Sequence, residues 1–146
     1  FRYQSLLNRD KTTTKMTLWV ARIIASASLL LALFLFYKFT VPAESVVYFS
    51  TLGVDPWGRI AAGVIELAAA ILLLVPRFSL YGALLTCATM LSAIFVHIFD
   101  SGIYMSYIDG SSDNGLLFIF ACVALLSACY ILFRLAKTLL FTNPSQ

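Results

Sequence analysis

Charge is what this sequence has least of. Only 12% of its 146 residues are Asp, Glu, Lys or Arg, against about 25% in an ordinary soluble domain. A chain this poor in charge cannot clothe a water-facing globule, so the soluble classes are excluded at the outset. Metal-ligating residues are equally scarce. There is one His, and none of the three cysteines, Cys87, Cys122 and Cys129, belongs to a Cys-x-x-Cys pair, so no metal site is expected. Cys122 and Cys129 lie two turns apart on one helix, too far to bridge. All three thiols read as small apolar residues buried in a bundle. Ligand sets for haem or iron–sulfur clusters are missing as well, so the chain carries no electron relay of its own. No Gly-rich phosphate loop, nucleophile elbow, paired carboxylates or internal repeat occurs.

What remains is hydrocarbon: 61% of the residues are hydrophobic. They gather in four segments, 18–39, 57–75, 80–99 and 116–133. Each is close to the roughly 20 residues that cross a bilayer core about 30 Å thick. The predicted fold is therefore an all-α membrane protein, a four-helix antiparallel bundle over 16–137. A basic polar segment, 1–15, precedes it and a short tail, 138–146, follows. The first segment lacks the small-x-small cleavage site of a secretory signal.

The few charges are sorted by side. Arg2, Arg9, Lys11 and Lys15 precede the first span, Arg77 stands between the second and third, and Arg134 and Lys137 follow the fourth. The other two connections hold Glu44, Asp55, Asp100, Asp109 and Asp113. Four spans place the three basic segments on one face, so the positive-inside rule puts both termini in the cytoplasm. The net charge of +3 is a topology signal, not a nucleic-acid footprint.

The stretch from Asp55 to His97 organises the rest. Asp55 and Pro56 are placed to cap and open the second helix. The short turn Pro76-Arg77-Phe78-Ser79 makes the second and third helices antiparallel neighbours. Ala62, Gly63, Glu66, Ala69 and Ala70 share one face of the second, and Gly82, Thr86, Thr89 or Met90, Ala93 and His97 one stripe of the third. The first helix has its own stripe, Ala21, Ala25, Ser28 and Ala32. Small-residue faces let membrane helices approach closely. Residues 43–52 suggest a short interfacial helix, and Tyr104, Met105 and Tyr107 an aromatic belt.

Glu66 falls at the midpoint of its span, where a carboxyl is costly to keep, so it is a functional candidate by default. Lys38, Arg59, His97 and Asp100 fall in one layer at the outer ends of their helices, with Glu66 about two turns deeper. Arg22 lies across the midplane, one turn inside its helix, where it can snorkel to the interface or serve a site. The candidates are Glu66 and His97 for proton handling, Arg59 or Lys38 for polarising a carbonyl or holding an anion, and Arg22 for binding. The unremarkable alternatives are anchors at Arg22 and Lys38 and a hydrogen-bonded structural His97.

Several strings resemble the DoxX family of small membrane proteins. Leu18-Trp19-Val20-Ala21-Arg22, Phe36-Tyr37-Lys38 and Leu52-Gly53-Val54-Asp55-Pro56 resemble its opening. Gly63-Val64-Ile65-Glu66-Leu67 with Leu72-Leu73-Leu74-Val75-Pro76-Arg77 is similar to its second helix, and Met90-Leu91-Ser92-Ala93-Ile94-Phe95-Val96-His97 to its third. The likeness maps onto Arg22, Lys38, Glu66, Met90, Ala93 and His97. It stops at Asp109-Gly110-Ser111-Ser112-Asp113, which replaces a Gly-Gly-x-Glu-Tyr-type segment, and the tail lacks the family's Gly-rich, acid-ending close. The resemblance implies an accessory subunit of a membrane redox or quinone-linked complex in the bacterial inner membrane. It would have no intrinsic cofactor beyond a bound quinone or lipid, and lipids and other membrane subunits as partners. Two rival classes are a purely structural assembly subunit and a small proton or solute transporter component. The absence of inverted repeats and broken helices weighs against the transporter.

Overall fold

A computed structural model describes residues 2–34, 49–50, 52–54, 56–101 and 114–141. Four long helices account for nearly all of them: α1 (Arg2–Phe34), α2 (Trp57–Leu74), α3 (Ser79–Val96) and α4 (Leu116–Phe141). They supply four stretches long and apolar enough to cross a membrane, Lys11–Ala32, Trp57–Leu74, Pro76–Phe99 and Leu116–Thr138, the third reaching beyond both ends of α3. The four-span reading therefore holds, with shifted ends. α1 runs back through the polar residues to Arg2, because extending a nucleated helix costs far less than starting one. α4 likewise continues past Phe133.

The helices pack in cyclic order, α1 on α2, α2 on α3, α3 on α4 and α4 on α1. Their shared core is mostly alanine: Ala21, Ala25, Ala69, Ala70, Ala83, Ala121, Ala124 and Ala128 are buried with Leu29, Leu73, Met90 and Ile131. The large side chains, among them Val64, Leu91, Leu126 and Phe133, point outward. This inside-out size pattern is the membrane solution: Leu gains nothing from burial when lipid is as apolar as protein, whereas small residues let backbones meet. The predicted small stripes of α1 and α3 are on the buried side, with Ala25, Ser28, Gly82, Thr86 and Met90 inside. On α2 the packing face lies lower than expected. Ala69, Ala70 and Leu73 are buried, while Ala62, Gly63 and Glu66 are half-buried.

A 3-10 turn, Pro76–Phe78, joins α2 to α3, and Ser79 Oγ donates to the Pro76 carbonyl at 3.1 Å. Beside it, α3 presses on α2 at Gly82. A Cβ there would stand 2.6 Å from the Leu73 backbone nitrogen and 2.9 Å from the Leu72 carbonyl carbon. Glycine is required for that approach. At the other end α3 passes into a π-helical turn, His97–Ser101. Pro56 itself occupies the N-terminal cap position of α2, without a side-chain cap bond, and its carbonyl accepts from the Ile60 N–H at 3.0 Å. Asp55, the expected cap, lies outside the described residues, as do the belt Tyr104, Met105 and Tyr107 and most of the expected 43–52 helix, of which Phe49 and Ser50 are helical.

Candidate functional site: a cavity between Glu66 and His97

Above the contact at Gly82 the bundle is not filled. A cavity of about 630 Å³ runs toward the end opposite the Pro76–Phe78 turn, within the 300–1,000 Å³ range of small-molecule sites. Its wall is made chiefly of α2 and α3, with Ala32 of α1 and Leu117 and Ala121 of α4. Alanines that pack tightly lower down, Ala69, Ala70 and Ala83, give way here to alanines that line open space, Ala61, Ala62, Ala88 and Ala93. Among the described residues, two ionisable side chains line it, Glu66 and His97. They are 31 positions apart in sequence, and only the antiparallel arrangement of α2 and α3 brings them to one space.

Their depths differ. Counted from the turn, Glu66 is level with Thr89 and His97 with Gly58, so about 12 Å of helix axis separates them. Glu66 thus sits at the floor and His97 near the mouth. Among the described residues no side chain bonds the Glu66 carboxyl. His97 is buried, its ring edge-on to Phe118 with centroids 5.8 Å apart. Its place at the start of the π turn fits the recurrence of such turns at functional sites. Between the two, the hydroxyls of Thr89 and Ser92 donate to the Leu85 and Ala88 carbonyls of their own helix. They leave lone pairs toward the cavity and need no partner across it. The result is an apolar slot with one polar group at each end.

The other candidates are elsewhere. Arg22 is only 3% exposed and does not snorkel. Its Nε donates to the Leu73 carbonyl at 2.6 Å and its Nη2 to the Leu74 carbonyl at 3.0 Å, and its guanidinium lies 4.3 Å from the centroid of the Trp19 ring. One turn along α1, Ser26 Oγ donates to the Ala70 carbonyl at 3.0 Å. The last carbonyls of a helix have no partner of their own and carry its negative pole, and Arg22 supplies the missing donors and the positive charge together. Arg59, on the first turns of α2, does not line the cavity. Lys38 lies outside the described residues.

One feature escaped the sequence reading. The thiols of Cys87 on α3 and Cys129 on α4 are 3.9 Å apart, and Cys129 is exposed on the outer face of the bundle, not buried. Only knowledge that α3 neighbours α4 could have paired them.

The fold defines a small helical membrane protein, and its bundle holds a cavity whose lining includes Glu66 and His97. The model of the DoxX-like family matches residues 25–104, more than half of the chain, and the chain belongs to that family. No curated protein and no solved structure matches it.

Proposed function

We propose that this DoxX-like protein is a quinone-binding accessory subunit of a membrane redox complex, with the head group held between Glu66 and His97. The observation that carries the reading is the apolar slot with one ionisable group at each end. A para-quinone is a flat, mostly apolar ring with an oxygen at two opposite ends, so it matches the slot in both shape and polarity. Bound there, it would supply two-electron chemistry, with the electrons delivered by a partner chain. Glu66 would handle a proton at the buried carbonyl and His97 at the one near the mouth, where water can reach. Each proton left on a reduced oxygen needs such a donor, and a positioned acid or base contributes about 10²–10⁴ in rate. The sorting of basic residues supports cytoplasmic termini, with the cavity mouth facing the opposite side of a bacterial inner membrane.

Quinone binding to the purified protein in lipid nanodiscs tests the reading. One quinone per chain is expected. Glu66→Gln should keep it within a few-fold, because the amide still donates, but reduce turnover of the assembled complex by roughly 10². His97→Gln should give a smaller loss. A native protein that takes up no quinone, and a Glu66→Gln complex with unchanged turnover, would leave the assembly-subunit reading instead.

A further inference from the structure

We infer that the apolar chain of the occupant leaves the cavity sideways, between α2 and α3, and lies in the bilayer. The inference rests on the quinone reading above and adds the route and the residues that set it. The wall of the cavity is unequal. On one side Met90, Leu117 and Ala121 are buried and close it against the rest of the bundle. On the other, Ala61 and Ile65 of α2 and Ala88 and Ser92 of α3 line the cavity and are exposed, and they adjoin the exposed Ile60, Val64 and Leu91 on the outer side of the same helices. Side chains that belong to both surfaces mark an opening.

The shape of the hairpin explains why the opening is there. α2 and α3 touch at Gly82, where no Cβ fits, and the cavity between them begins only at Leu85 and Glu66. Three of the four rim residues are Ala or Ser, so little side-chain volume spans the gap. Elsewhere on the lipid face of these helices Val64, Leu84, Leu91 and Phe95 stand exposed and bulky. Ala88 and Ser92 flank Thr89, the position level with Glu66, so the gap opens beside the polar floor. A ligand whose ring reaches Glu66 can therefore project a chain directly into lipid. A single hydrocarbon chain meets no unsatisfied polar group on that path, because Ser92 is already bonded to its own helix. Ala61, Ala88 and Ser92 are thus positioning residues for the chain, distinct from the groups that hold the head.

The test uses the full chain in nanodiscs and an alkyl-tailed, fully substituted benzoquinone carrying a diazirine near the start of its tail. After photolysis, the label should map to 61–65 and 88–92 and be displaced by the same quinone without the diazirine. Ala88→Phe and Ser92→Phe, both at exposed positions and compatible with folding, should cut the displaceable label by roughly tenfold, the effect of denying a few methylenes their place. Leu126→Phe, on the exposed face of α4, should leave it unchanged. A displaceable label on α1 or α4, or one undiminished in the Ala88 and Ser92 variants, would overturn the lateral route while leaving quinone binding intact. No displaceable label anywhere would overturn the quinone reading and the route with it.

Discussion

The two ends of the α2–α3 hairpin are built from the same residue types and behave in opposite ways. Near the turn, alanine and glycine bring backbones together. Arg22 and Ser26 fasten α1 to the α2 carbonyls, and Tyr130 Oη donates to Thr17 Oγ1 at 3.1 Å to tie α4 to α1. At the far end the same small side chains line a cavity, and Thr86, Thr89 and Ser92 bond carbonyls of their own helix. Small residues are therefore not a packing code by themselves. They permit close approach near the turn, where Arg22 and Ser26 also hold backbones together, and they line open space at the far end. One end carries the bonds between helices and the other carries the cavity.

Breaking this division should be easiest at Arg22. Arg22→Ala removes one buried and one part-buried bond, leaving the Leu73 and Leu74 carbonyls without them, and interhelical bonds in membranes reach about 1.7 kcal/mol each. We expect a loss of about 2–3 kcal/mol, measured as reversible unfolding in mixed micelles, with Arg22→Lys recovering part of it. Gly82→Ala comes next, at about 1–2 kcal/mol for forcing a methyl against the α2 backbone. Ser26→Ala should cost about 0.6 kcal/mol, the average for one such bond.

Ala62→Leu sharpens the comparison from the open end. Read from sequence, Ala62 is on the packing face and its enlargement ought to destabilise the bundle. Because Ala62 lines the cavity, added volume has somewhere to go. Stability should change by less than about 0.5 kcal/mol, the scale of a substitution away from close contacts, while quinone uptake falls. A large drop in unfolding free energy for Ala62→Leu would mean that the open end is packed after all.

Much of this was legible beforehand, and the exceptions share a cause. The four spans, the antiparallel hairpin and the inward stripe from Gly82 to His97 follow from hydropathy and helical periodicity. Glu66 stood out because an acid at mid-span has no cheap explanation, and His97 because its depth sets it near the opposite end of the same hairpin. The role of Arg22 was hidden because its partners are backbone carbonyls, which every sequence has and none advertises. The cavity was hidden because Ala61, Ala62, Ala88 and Ala93 look the same in sequence whether a neighbouring helix touches them or not. The Cys87–Cys129 approach required the cyclic order of the helices, which no pattern within one helix contains.

The site of the Arg22 clamp also bears on how the polypeptide could be divided. α1 and α2 are fastened at Leu73 and Leu74, the end remote from the chain that connects them. These bonds therefore set the register of the two helices at the end away from that connection. Severing it within 35–48 would leave a lone helix and a three-helix remainder still carrying matching halves of a recognition surface, an arginine on one and exposed helix-end carbonyls on the other. Confined to the same bilayer, two such fragments have the means to find each other, so split complementation across this break is a natural property of the architecture.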